Sequence, residues 1–166
     1  MKILPYNREK AVAYSNEWAL KRNYKYYDFS LLGGDCTNFV SQCLYSGSNV
    51  MNYTKDFGWY YQNLLKRAPA WTGVEFFYNF LIKNASGVGD GQGPFGYNAS
   101  LLELEPGDFI QLADSFGDYF HSAIVVDFIG DEPIVSSHSR DFKAVSLSTF
   151  RFFKARGIKI TGVRVK

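Results

Sequence analysis

Apolar positions recur at helical spacing through the first half of the chain and in short strand-like blocks through the last third. Pro5 followed by REKAVAYSNEWALKR predicts an amphipathic helix, with Ala11, Tyr14 and Trp18 on its apolar face. Residues 23–34 read as a tyrosine-rich loop closed by Gly33-Gly34. A second helix is predicted over 36–45, with Phe39, Val40, Cys43 and Leu44 facing inward and Gly47 as its stop. Residues 46–62 read as a surface loop carrying Trp59, Tyr60 and Tyr61. A third helix is expected from Val74 to Asn84, with Thr72 as its N-cap. The stretch ASGVGDGQGPFGYNAS that follows has no apolar period and many glycines, so it reads as a long mobile loop.

The remainder reads as strands. After the Pro106-Gly107-Asp108 turn come FIQLA (109–113), YFHSAIVVDFI (119–129) and PIVSSHS (133–139). A short helix over 147–154 and a last strand, GIKITGVRVK, complete the chain. Helices first and antiparallel strands second predict an α+β fold, as one domain over residues 1–166.

A chain of 166 residues can bury about two-thirds of its unfolded surface and needs no staples. It is 18% aromatic, with 12 Tyr and 15 Phe. That surplus suits a plain core. It also suits a groove gripping a polar polymer, for which Tyr26, Tyr27, Trp59 and Tyr60 are the candidates. The net charge of +2 and the lack of a dense Lys/Arg block argue against nucleic acid as a partner. No apolar run reaches the ~18 residues of a membrane span. The opening MKIL before Pro5 is too short for a signal peptide, so a soluble chain is expected.

Two cysteines seven residues apart on one helix are separated by about 10 Å, too far for a disulfide. Cys43 reads as core. Cys36 opens its helix, where it is either a small packed residue or a nucleophile. A nucleophilic reading has physical support. Unpaired N–H groups at a helix start favour a thiolate and can hold an oxyanion. A nearby imidazole can take and return the proton. The two histidines, His121 and His138, fall on strands joined by a tight turn. His121 is then the base, and His138 the group that orients it. The spacing carries no C-x-x-C or H-E-x-x-H signature, so neither a metal nor another cofactor is expected.

The order and wording of these stretches resemble one family. REKAVAY, GGDCTNFVSQCL, Trp59 with Trp71, LEPGDFIQL, HSAIVV and SSHSRDF together resemble the putative amidase domain family. That family is a bacterial branch of the papain-like cysteine hydrolases related to the NlpC-type and CHAP cell-wall enzymes. The resemblance covers nearly the whole chain and implies a papain-like fold. It implies Cys36 as nucleophile, His121 as general base and acid, and His138 as the residue orienting His121. The implied activity is hydrolysis of amide or peptide bonds in bacterial cell-wall (peptidoglycan) peptides through an acyl-enzyme. The same residues fit an acyl transferase, a non-catalytic wall-binding module, or an effector acting on other proteins. Unpaired cysteines fit a reducing cytoplasm whereas a wall enzyme acts outside, which leaves the place of action open.

Overall fold

The computed structural model describes residues 1–166. Strand β1 (Lys2–Leu4) leads into helix α1 (Arg8–Trp18), a 3-10 turn (Phe29–Leu31) and helix α2 (Cys36–Ser48). A small hairpin of β2 (Tyr61–Asn63) and β3 (Lys66–Arg67) precedes the one-turn α3 (Pro69–Thr72) and α4 (Val74–Lys83). Strands β4 (Gly93–Ala99), β5 (Phe109–Ala113), β6 (Tyr119–Ile129), β7 (Glu132–Ser137), β8 (Phe142–Ser146) and β9 (Lys154–Val165) follow. The main sheet has seven strands in the order β1-β9-β5-β6-β7-β8, with β4 also paired to β9, and every pairing is antiparallel. The architecture is α+β, four helices with an antiparallel sheet.

FIQLA is buried at every position because both faces of β5 are covered. Phe109 joins the helix-side core while Ile110 and Leu112 join a smaller cluster on the opposite face. A strand covered on both faces reads as a continuous apolar run. The helix-side core is dominated by rings. Trp59 and Trp71 are fully buried and stack at 4.8 Å between centroids. Phe80 lies 6.1 Å from Trp59, and Tyr26 and Tyr61 lie 5.9 and 5.8 Å from Trp71. Trp59 is therefore not on a surface loop. Its ring N–H donates to Ser41 Oγ at 3.0 Å, which satisfies the one polar atom it buries.

Several boundaries differ from expectation for identifiable reasons. Helix α2 runs past Gly47 and ends at Asn49, which takes the left-handed conformation that stops it. Thr72 closes α3 and does not cap α4. Residues 93–99 of the glycine-rich stretch form a strand, because β9 is long enough to pair β4, β1 and β5. Only a 3-10 turn (Leu147–Thr149) forms where a short helix was expected.

The Pro106-Gly107-Asp108 turn anchors the helical layer to the sheet. Buried Asp108 accepts from Arg8 Nη1 at 2.7 Å, from the Ile160 N–H at 2.9 Å and from the Glu105 N–H at 3.0 Å. Gly107 has φ +96°, and a Cβ there would meet the Arg8 side chain at 3.0 Å. Trp71 is fully buried among Tyr26, Tyr45, Trp59 and Tyr61, so truncating it leaves a large hole. Trp71→Ala should lower unfolding free energy by about 3–5 kcal/mol in a urea titration, and Trp71→Phe by clearly less.

Candidate active site

Gly33 (φ +85°) and Gly34 (φ +97°) turn the chain into α2 in a conformation that other residues reach only with strain. Asp35 follows at the N-cap position and Cys36 is the first helical residue. All of α2 is buried except Tyr45 and Ser46, so its polar side chains need internal partners. Asn38 Nδ2 donates to Asp35 Oδ1 and to the Tyr27 carbonyl, both at 2.9 Å, while Asn38 Oδ1 accepts from the Trp71 ring N–H at 3.0 Å. Ser41 donates to the Trp71 carbonyl at 2.9 Å, and Gln42 Oε1 accepts from the Tyr14 hydroxyl at 2.6 Å. The polar residues of DCTNFVSQ are thus mostly the price of burying a helix on all sides.

The Asp35 side chain accepts from no backbone N–H of its own helix, so the start of α2 is left without a capping side chain. Its carboxylate is turned inward. Oδ1 accepts from the Phe29 N–H at 2.8 Å, and Oδ2 lies 2.7 Å from His138 Nδ1 and 3.5 Å from Arg22 Nε. His138 is 1% exposed and stacks on Phe39 at 4.1 Å. Its Nε2 lies 2.9 Å from the Trp18 carbonyl oxygen and 3.2 Å from Arg22 Nη1. Both ring nitrogens of His138 are taken, and neither is bonded to His121. The role of orienting His121 therefore does not fit its geometry. His138 holds Asp35, the residue next to Cys36.

Cys36 and His121 do meet the same space. With Gly34, Phe120, Phe142 and Phe150 they line a cavity of about 520 Å³. A β-bulge explains how His121 is aimed there. In the β5–β6 ladder Leu112 pairs with His121 but Ala113 pairs with Tyr119, so Phe120 is the extra residue. In a regular strand Phe120 and His121 would face opposite sides; the bulge lets both line one cavity. The His121 ring has no hydrogen-bond partner, and its Nε2 is buried. Burial alone pushes its pKa down from 6.5 to about 4.

Burial also pushes the Cys36 thiol up from its ordinary range. The Ser122 backbone N–H and the Thr37 hydroxyl, 3.8 Å from Sγ, act against that shift without cancelling it. Thr37 Oγ1 is in turn 3.0 Å from Ser122 Oγ, which accepts from Gln111 Nε2 at 3.1 Å. At neutral pH burial therefore favours a neutral thiol and a neutral imidazole, not the thiolate that the helix start alone would favour. A neutral imidazole is the form that can accept a proton. No group of three His, Cys, Asp or Glu side chains converges closely enough to hold a metal ion. Both cysteines are free, and Cys43 is in the core.

A family model described as a putative amidase domain matches residues 5–161. The chain belongs to that family. Two proteins of Bacillus subtilis (strain 168) are similar to this amidase-family chain. They are the uncharacterized protein YhbB, 32% identical over 141 residues, and the uncharacterized protein YjcM, 32% identical over 142 residues. The matches cover 82% and 81% of this chain but 42% and 31% of those relatives, so the chain spans less than half of either. No solved structure matches.

In this amidase-family chain none of the four aromatic residues expected in a groove lines the cavity beside Cys36 and His121. Trp59 is core, Tyr60 is half-buried 5.3 Å from Tyr53, and Tyr26 and Tyr27 border a separate shallow groove beside Arg22. The aromatic walls are Phe120, Phe142 and Phe150. Asp35, Arg22 and the Phe120 bulge were missed. Asp35 had a signal, a carboxylate directly before the candidate nucleophile, whereas the bulge left none.

Two measurements check this arrangement. His121 binds its proton less tightly folded than unfolded, so between about pH 6.5 and about 4 the unfolded chain holds more of that proton. This share of stability is complete above pH 6.5 and is lost as pH falls to 4, by up to about 3 kcal/mol. His121→Gln should therefore flatten the fall of Tm across that window. Conversely, His138→Phe should cost about 3–5 kcal/mol in chemical denaturation at pH 8, because Asp35 loses a buried partner, while His121→Gln costs little there.

Proposed function

We propose that this chain is a cysteine-dependent hydrolase of amide or peptide bonds, with a papain-like arrangement of nucleophile and base. Its substrates on this reading are peptides of the bacterial cell wall. The observation that carries the chemistry is the shared cavity, which a helix-start cysteine and an unpartnered strand histidine both line. Family membership points to amide bonds, and the cell-wall assignment follows the sequence resemblance.

The neutral resting pair shapes the mechanism. As Cys36 Sγ approaches the substrate carbonyl carbon, its proton passes to His121. The new C–S bond leaves an oxyanion, which the backbone N–H groups at the start of α2 stabilise. Protonated His121 gives its proton to the departing amine, and the C–N bond breaks. His121 then takes a proton from water as that water attacks the thioester, which releases the carboxylic acid and restores the thiol. His138 contributes by fixing Asp35 and hence the turn that presents Cys36.

Purified cell-wall peptides are the test substrates. Cys36→Ala should reduce product formation to background, and His121→Ala should lower kcat by about 10²–10⁴-fold. Full activity of Cys36→Ala would overturn the proposal.

A further inference from the structure

The cavity that holds Cys36 and His121 is also lined by two arginines, Arg140 and Arg151. No aspartate or glutamate lines it. Neither arginine forms an ion pair with any carboxylate of the chain. The neighbouring acid, Asp141, is held by both Nη atoms of Arg22, at 2.8 and 3.0 Å, and is unavailable to Arg140. Arg140 lies over the Phe142 ring at 5.7 Å, so one cavity wall carries it.

Both arginines are exposed to solvent. Elsewhere Arg8, Arg22 and Arg156 each meet a carboxylate within 3.1 Å, while Arg67 and Arg164 donate to backbone carbonyls, so Arg140 and Arg151 alone have neither kind of partner. The buried residues of the cavity add no positive charge of their own at neutral pH, since His121 is uncharged there. The two guanidinium groups thus set the potential of a recess with apolar aromatic walls, a geometry that concentrates the field on whatever enters. A guanidinium offers paired N–H donors that match the two oxygens of a carboxylate. The rings of Phe120, Phe142 and Phe150 give the same cavity apolar walls.

We propose that Arg140 and Arg151 are specificity-determining residues that bind a free carboxylate of the substrate, so that the site selects peptides bearing that carboxylate close to the scissile amide. The assignment rests on the reading of this cavity as the active site. It makes the substrate anionic in its recognised part. It also explains why the cavity has no acidic lining, since an acid there would neutralise the arginines or repel the ligand.

The test separates recognition from catalysis by using Cys36→Ala protein, which can bind without turning over. N-acetyl-alanyl-alanine is titrated as the free acid and as the C-terminal carboxamide, following the backbone amides of Gly33, Gly34 and Phe120 by NMR. The acid should bind at least about ten-fold more tightly, a difference of about 1.4 kcal/mol. That preference should shrink with added salt and vanish when Arg140→Gln and Arg151→Gln are added. Equal affinities, absence of binding by the acid, or a preference that survives the double substitution would each overturn the proposal. Failure of the catalytic reading would look different: full hydrolysis by Cys36→Ala with the acid preference intact.

Discussion

The buried carboxylate of Asp35 is the contact on which the site depends. It gathers the Phe29 N–H, the Asn38 amide, His138 and the Arg22 guanidinium around two oxygens. Those partners come from the turn before α2, from α2 itself, from the end of β7 and from the segment after α1. Through His138 the same group reaches the Trp18 carbonyl, and the Asp35 N–H donates to Ser139 Oγ at 2.6 Å. A buried charge left with fewer partners is costly, so these segments are fixed together or not at all. Cys36 is the next residue. Its position is a by-product of satisfying its neighbour.

The same logic explains why Cys36 and His121 are both uncharged at neutral pH. Desolvation disfavours charge on each, raising the thiol and lowering the imidazole. Cys36 and His121 thus form no ion pair with each other. On the proposed mechanism, charge separation arises only as a substrate carbonyl is attacked, when the N–H groups at the start of α2 acquire something negative to bind. Fixed donors that wait for a developing charge need no rearrangement at that moment. The polar layer beneath, Thr37 to Ser122 to Gln111, keeps the surroundings of the sulfur ordered without ionising it.

Much of this was legible in the amino-acid sequence, and the exceptions share a cause. FIQLA and YFHSAIVVDFI stand as strands with their expected bounds, because their apolar blocks are local signals. The helix beginning at Cys36 was visible from its inward-facing Phe39, Val40, Cys43 and Leu44. Residues 93–99 were not, because glycines hide their period and their strand character comes from pairing with β9, which is distant in the chain, Gly93 lying opposite Arg164 and Ala99 opposite Gly157. Trp59 looks like loop sequence and is core in space, since Trp71 and Phe80 supply its neighbours. His138 was placed on a strand beside His121, but pairing register cannot be read from composition. A shift between Val125 and Asp127, and the end of β7 at Ser137, carry it past the ladder and back toward α2.

The pairing of β1 with β9 has a mechanical side. Lys2 lies opposite Val165 and Leu4 opposite Val163, in antiparallel strands. The two ends of the fold are therefore adjacent, and tension applied between them pulls on the Lys2–Val165 rung before any other. Such loading peels hydrogen bonds one after another instead of shearing a whole ladder at once. The first give under tension falls in a short strand whose three residues are all exposed. His121, on β6, is separated from that rung by β9 and β5 in the sheet. A chain built this way could hang between flanking segments as a side loop, with slack in its leash before its working parts feel the pull.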